Sequence, residues 1–165
     1  MKILVAGANG ATGQQLVRQL LERGQEVVAV VRSASSLPQD LREYENLSVV
    51  QASLLDLSDA ELAKLVDGCD AVASCLGHNL SLKGMYGYPR QLVTGATRRL
   101  CTAIQANQPH APVRFVLMNT VGNRNRDLDE PLSAGDQIVT GILRLVLPPQ
   151  ADNEQAAEYL RTVFM

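Results

Sequence analysis

The sequence predicts an α/β protein built on a doubly wound parallel sheet, strand order 3-2-1-4-5. Three observations predict it. Short apolar runs alternate with longer stretches of helical period along the 165 residues. The runs are rich in Val, Leu and Ala and nearly free of charge, as strands covered on both faces are. The segments between them are long enough for crossover helices, which makes successive strands parallel and the crossovers right-handed.

Taken in order, residues 3–6 form the first apolar run, ending at Gly7. From Gln14 the pattern turns helical, with Leu16, Val17, Leu20 and Leu21 on one side and Gly24 as the stop. Residues 27–31 and 47–52 are the second and third strands, joined by a loose connection through Ser35, Ser36 and Pro38. Ser58-Asp59-Ala60-Glu61 is a capping box opening a short helix with Leu62, Leu65 and Val66 on one face. Residues 71–76 form the fourth strand, ending at Gly77; residues 91–106 read as a long helix and 113–118 as the fifth strand. A polar connection, 121–130, follows, then a helical stretch over 138–147 ending at Pro148-Pro149. A last helix starts with Asp152 or Asn153 as its N-cap.

Length and composition bound the rest. At 165 residues, 46% hydrophobic and 19% charged, one folded domain spanning 1–165 is expected. Fifteen basic residues against 17 acidic give a net charge of -2, not the balance of a nucleic-acid or anionic-membrane binder. Cys69, Cys75 and Cys101 are an odd number without metal-ligand spacing, which points to a reducing, cytoplasmic setting and to no metal site. The first apolar run is too short for a signal peptide, and no stretch has the length of a membrane span.

The chemistry-bearing motif is Gly7-Ala8-Asn9-Gly10-Ala11-Thr12-Gly13, between the first strand and the first helix. A phosphate-binding turn makes three demands there. One glycine allows positive φ, another lets a diphosphate approach the backbone, and a third lets helix pack on strand. Amides at the helix N-terminus then face the phosphates. The alternative is an ordinary Gly-rich strand-to-helix turn. Arg32 lies 19 residues past Gly13, where an acidic residue would bind the adenosine ribose of NAD. No Asp or Glu stands between Val27 and Gln39, and Arg32 suits the 2′-phosphate of NADP instead. Otherwise Arg32 is an exposed strand-end residue.

Residues 1–13, followed by Val30-Val31-Arg32-Ser33, resemble the atypical short-chain dehydrogenase/reductase family. The likeness is to the NAD(P)-binding Rossmann proteins related to flavin reductase/biliverdin reductase B and to NmrA-like regulators. It implies a dinucleotide cofactor, NADP ahead of NAD. Gly7, Asn9, Gly10, Ala11, Thr12, Gly13 and Gln14 would line the diphosphate, and Arg32 and Ser33 would meet the 2′-phosphate. Ser53 and Leu54 would flank adenine, Cys75, Leu76 and Gly77 the ribose side, and Asn119 and Thr120 the nicotinamide. It also implies a small-molecule acceptor, flavin- or quinone-like.

The chain departs from the family's enzymes in two ways. Their Tyr-x-x-x-Lys pair, in which Lys lowers the Tyr pKa, is absent. The lysines are Lys2, Lys64 and Lys83, with Ala60 and Asn79 four residues before the last two. No sixth strand is legible after the last helix, so a substrate-binding C-terminal part is expected to be missing or minimal. An open edge at the fifth strand would then invite a homodimer. A non-catalytic NADP(H) sensor therefore stands beside the reductase reading.

The remaining candidates each carry a plainer alternative. His78, Asn119 and Thr120, just past strand ends, are the catalytic candidates, His78 against a polar loop role. Cys75 is a thiol near the cofactor or a small buried hydrophobe. Tyr86 and Tyr88 could cover a ligand or anchor a loop. Arg98-Arg99 reads as a solvated helix face, and His110 as a turn residue.

Overall fold

The computed structural model describes residues 1–77, 91–119, 135 and 148–163. Two compact units emerge: Met1–Leu76 with Ala96–Met118, and Gly77–Gly95 with Asn119–Met165. The first unit holds a parallel sheet of strands β1 (Lys2–Ala6), β2 (Glu26–Val31), β3 (Leu47–Gln51), β4 (Ala71–Ser74) and β5 (Arg114–Leu117), in the order β3-β2-β1-β4-β5. This is the doubly wound Rossmann order, with its reversal between β1 and β4. The inner strands β1, β2 and β4 are short, rich in Val, Ala or Leu and largely buried, as strands covered on both faces are, while the edge strands β3 and β5 are only partly buried.

Register aligns the strand ends. Ala6 sits opposite Val30 and Ser74, and Ser74 opposite Leu117. The ladder continues one residue further: the Cys75 amide donates to the Ala6 carbonyl at 2.8 Å, and the Ala52 amide to Val31 at 2.8 Å. The carboxyl ends therefore form one edge, from which Gly7, Arg32, Ala52 and Cys75 emerge.

On one face, Ile3, Val5, Val27, Ala29 and Val31 pack with Val17 and Leu21 of helix α1 (Ala11–Glu22) and with Leu37 and Leu41. Strand alternation turns Leu4, Ala6, Val28, Val30 and Val72 to the other face, where they are equally buried. Leu62 and Val66 of α3 (Asp59–Val66) and Leu100 and Cys101 of α4 (Leu92–Ala106) are buried too. Fully burying one such side chain contributes about 1.5–3 kcal/mol before the ordering cost.

One helix start and the connection after β2 differ from the sequence reading, beyond shifts of one or two residues at other ends. Helix α1 begins at Ala11, not Gln14, because its first turn is the glycine stretch, which has no apolar period to show. The connection after β2 contains a 3-10 turn, Ala34–Ser36, and the one-turn helix α2, Gln39–Arg42. Leu37 and Leu41 are buried there, at 2% and 0% exposure, and an element of four residues is too short to set up a period. The capping box is as read. The Ser58 hydroxyl accepts from the Glu61 amide at 3.3 Å, and the Glu61 carboxylate accepts from the Ser58 amide at 2.7 Å.

In the second unit, helix α5 runs Pro148–Val163. The two prolines occupy its first turn, where no amide partner is needed. Asp152 is therefore inside the helix rather than its N-cap. Its carboxylate caps a different helix: Oδ2 accepts from the Val93 amide at 2.8 Å and Oδ1 from the Thr94 amide at 2.9 Å. The Thr94 hydroxyl donates to the Asp152 carbonyl at 2.8 Å. Asp152 is 2% exposed, so these bonds offset the burial of a carboxylate. The expected helix over 138–147 lies outside the described residues. No helix among the described residues is long and apolar enough to cross a membrane.

Candidate functional site

The turn after β1 is built by its glycines. Gly7 has φ +74°, and a Cβ on it would stand 2.7 Å from the Cys75 carbonyl oxygen at the end of β4. Gly13 is buried, and a Cβ there would stand 2.2 Å from the Gly7 oxygen. Both positions are closed to any other residue by backbone that cannot step aside. Gly10 differs. Among the described residues, a Cβ there meets only the Gly7 oxygen, at 3.4 Å, with φ at an ordinary -72°. No described residue requires glycine at the exposed position 10.

Gly10 is also the N-cap of α1, so no side chain caps the helix, and the first turn carries no acidic residue. The Gly10 amide donates to Gly7 at 3.1 Å, and the first helical bond runs from Gln14 to Gly10 at 2.8 Å. Ala11 and Thr12 of the first turn are exposed, and the first amides of a helix have no partner within it. Open amides, the positive end of the helix dipole and absent acids together favour an anion. The Gln14 side chain is committed to the turn, its amide nitrogen donating to the Asn9 carbonyl at 3.0 Å.

On the neighbouring strand, Arg32 and Ser33 follow β2 and are exposed. Arg18 on α1 is paired with Asp40 at 2.6 Å, which lowers the Asp40 pKa through a side-chain hydrogen bond. Beyond Arg32 the Ser33 and Ser35 hydroxyls stand 2.8 Å apart, and the Ser36 hydroxyl donates to the Ser33 carbonyl. Ser35 and Ser36, which the sequence shows only as part of a loose connection, lie in the 3-10 turn Ala34–Ser36 directly after Arg32-Ser33. The signal was present in the run Arg32-Ser33-Ala34-Ser35-Ser36, three hydroxyls within reach of one 3-10 turn.

After β3, Ser53 is half-buried and its carbonyl accepts from the Asp56 amide at 2.9 Å, while Leu54 is buried. After β4, Cys75 and Leu76 are half-buried. Burial pushes the Cys75 thiol pKa up, which favours the neutral thiol. Gly77 and Asn119 are exposed and belong to the second unit. His78, Thr120, Tyr86 and Tyr88 lie outside the described residues.

The sequence reading of Arg99 is corrected. It is not a solvated side chain: it is three-quarters buried and bonded to the segment after β3. Helical spacing alone cannot show a contact 45 residues away. Arg98 is exposed, as read.

The class follows from this frame. The chain belongs to the NAD(P)H-binding family, whose model matches residues 7–163. The resemblance to atypical short-chain dehydrogenase/reductases stands with it. A Synechocystis protein named as a proposed dihydroflavonol 4-reductase is 36% identical over 103 residues, 62% of this chain and 29% of that one. Among solved structures, the Bordetella bronchiseptica enzyme WbmH in complex with NAD+ matches with a TM-score of 0.67. It is 20% identical, covering 97% of this chain and 51% of that one. A proposed NADH-flavin reductase from Streptococcus pneumoniae matches with a TM-score of 0.61 and 22% identity, covering 98% and 66%. These two likenesses are of fold. The chain spans less than a third of the curated relatives it matches.

Proposed function

We propose that this chain binds NADP(H) on its first unit and serves as a reductase for a flavin- or quinone-like acceptor. The observation that carries the reading is Gly10: the fold has room for a side chain there, and the need for glycine comes from a diphosphate. In this reading Gly7, Asn9, Gly10, Ala11, Thr12, Gly13 and Gln14 surround the diphosphate. Arg32 and Ser33, helped by Ser35, take the 2′-phosphate; Ser53 and Leu54 flank adenine; Cys75 and Leu76 line the ribose side. When bound, NADPH supplies the hydride, and the protein's part is to hold and orient it.

Arg32 supports NADP over NAD. Its guanidinium makes no hydrogen bond or ion pair with the described residues, and it stands where an acid would bond both ribose hydroxyls. Removing one charge-assisted contact costs about 1.5–3 kcal/mol. Arg32→Ala is therefore expected to weaken NADP binding by at least tenfold and leave NAD binding unchanged, read by titration calorimetry. Equal affinity of the unaltered protein for both cofactors would remove the argument.

A second reading, an NADP(H) sensor without turnover, is favoured by the absent Tyr-x-x-x-Lys pair. NADPH oxidation assayed with FMN and with a quinone separates the two. Turnover supports the reductase, and tight binding without turnover supports the sensor.

A further inference from the structure

Arg99 sits on α4, yet every hydrogen bond described for its guanidinium goes to the chain just after β3. One terminal nitrogen donates to the carbonyls of Leu54 and Leu55, both at 2.9 Å. The other donates to the Leu57 carbonyl and pairs with Asp59 at 3.0 Å. Three main-chain carbonyls within four residues thus converge on one planar cation. The Asp59 partner is almost fully exposed, 91%, so its share is small and the carbonyls are the substance of the contact. Nearby, the Asn107 side chain, just past the end of α4, donates to the Ala63 carbonyl of α3 at 2.7 Å.

Residues 52–58 belong to no strand or helix, and within them the one turn bond runs from Asp56 to Ser53. Such a segment, left alone, samples many backbone states in water. A guanidinium is suited to stop that: its donors lie in a rigid fork, and it is never deprotonated. A lysine ammonium is a point donor and cannot reach carbonyls spread over four residues in the same way.

We propose that Arg99 is a positioning residue for the adenosine half of the dinucleotide. It presets the loop that carries Ser53 and Leu54 without touching the ligand. The inference rests on the dinucleotide reading above. Its consequence is energetic: a loop ordered in advance does not have to be ordered by the ligand, and the ligand binds more tightly.

The test uses the full chain and two probes, adenosine 2′,5′-bisphosphate and NADP, titrated into the unaltered protein and Arg99→Lys. A loosened loop is expected to weaken both probes by the same factor, about tenfold, because both contain the adenosine half. Unchanged affinity for the bisphosphate overturns the proposal. So does a loss clearly larger for NADP than for the bisphosphate, which marks general loosening of the fold. If Arg99→Lys does not fold, Leu55→Gly loosens the same loop from its own side and is read by the same criteria. If the unaltered protein binds neither probe, the dinucleotide reading itself fails and the proposal falls with it.

Discussion

Gly7, Gly10 and Gly13 are equivalent letters in the sequence and unequal positions in space. Gly7 is required by its positive φ and by the end of β4, Gly13 by the carbonyl of Gly7, and Gly10 by neither. The variants should part accordingly. Gly13→Val forces backbone apart and should cost stability at the top of the roughly 1–3 kcal/mol range of overpacking. Gly10→Val should keep a near-normal thermal midpoint, since its backbone angles suit valine, and lose dinucleotide binding. Thermal melts with cofactor titration check both. A folded Gly10→Val protein with undiminished affinity would sink the phosphate-turn assignment.

At the scale of elements, two helix caps differ in kind. That of α3 is local, and the hydrogen bond from Ser58 holds the Glu61 pKa below its ordinary range. A depressed carboxylate stabilises the fold above its unfolded-state pKa, and that contribution is lost as pH falls through the folded-state value. The stability gap between the unaltered protein and Glu61→Gln should therefore be present at pH 7 and shrink by about pH 3, below the ordinary glutamate range. Urea midpoints at the two pH values measure it. Asp40, held low by Arg18, acts in the same sense. The cap of α4 is remote: Asp152 reaches it from α5 across 58 and 59 residues of chain. Asp152→Ala strands two helix amides and should cost on the order of 2–4 kcal/mol. Asp152→Asn keeps one acceptor oxygen and should cost less, seen as a smaller fall in the thermal midpoint.

At the scale of the whole molecule, the described sheet has β3 and β5 as its edges. On β5, Val116 is 59% exposed. An apolar residue on a strand with one described partner is a template for pairing with another chain. Association that grows with concentration is expected in light scattering, and Val116→Lys should suppress it, because an edge charge has to be desolvated to pair. A single mass at every concentration for the unaltered protein would show that this edge does not recruit a second copy.

Local chemistry decided what the sequence made legible. The five apolar runs, the capping box at Ser58 and the glycine turn each depend on residues within a few positions of one another. Strand burial, cap geometry and turn angles therefore show directly as residue type and spacing. The strand order followed because parallel crossovers leave few alternatives. The place of Arg32 at the end of β2 was legible for the same reason: it is a fixed count from the turn. What tertiary structure alone decided are contacts between distant segments. Which glycine is free of the protein's own packing depends on where β4 ends. Arg99 looked like a solvated helix face because its partners lie 40 or more residues away, and Asp152 looked like the cap of its own helix because its amide partners lie on another. A hydrogen bond is set by where the backbone brings donor and acceptor, and at such separations only the folded chain specifies that.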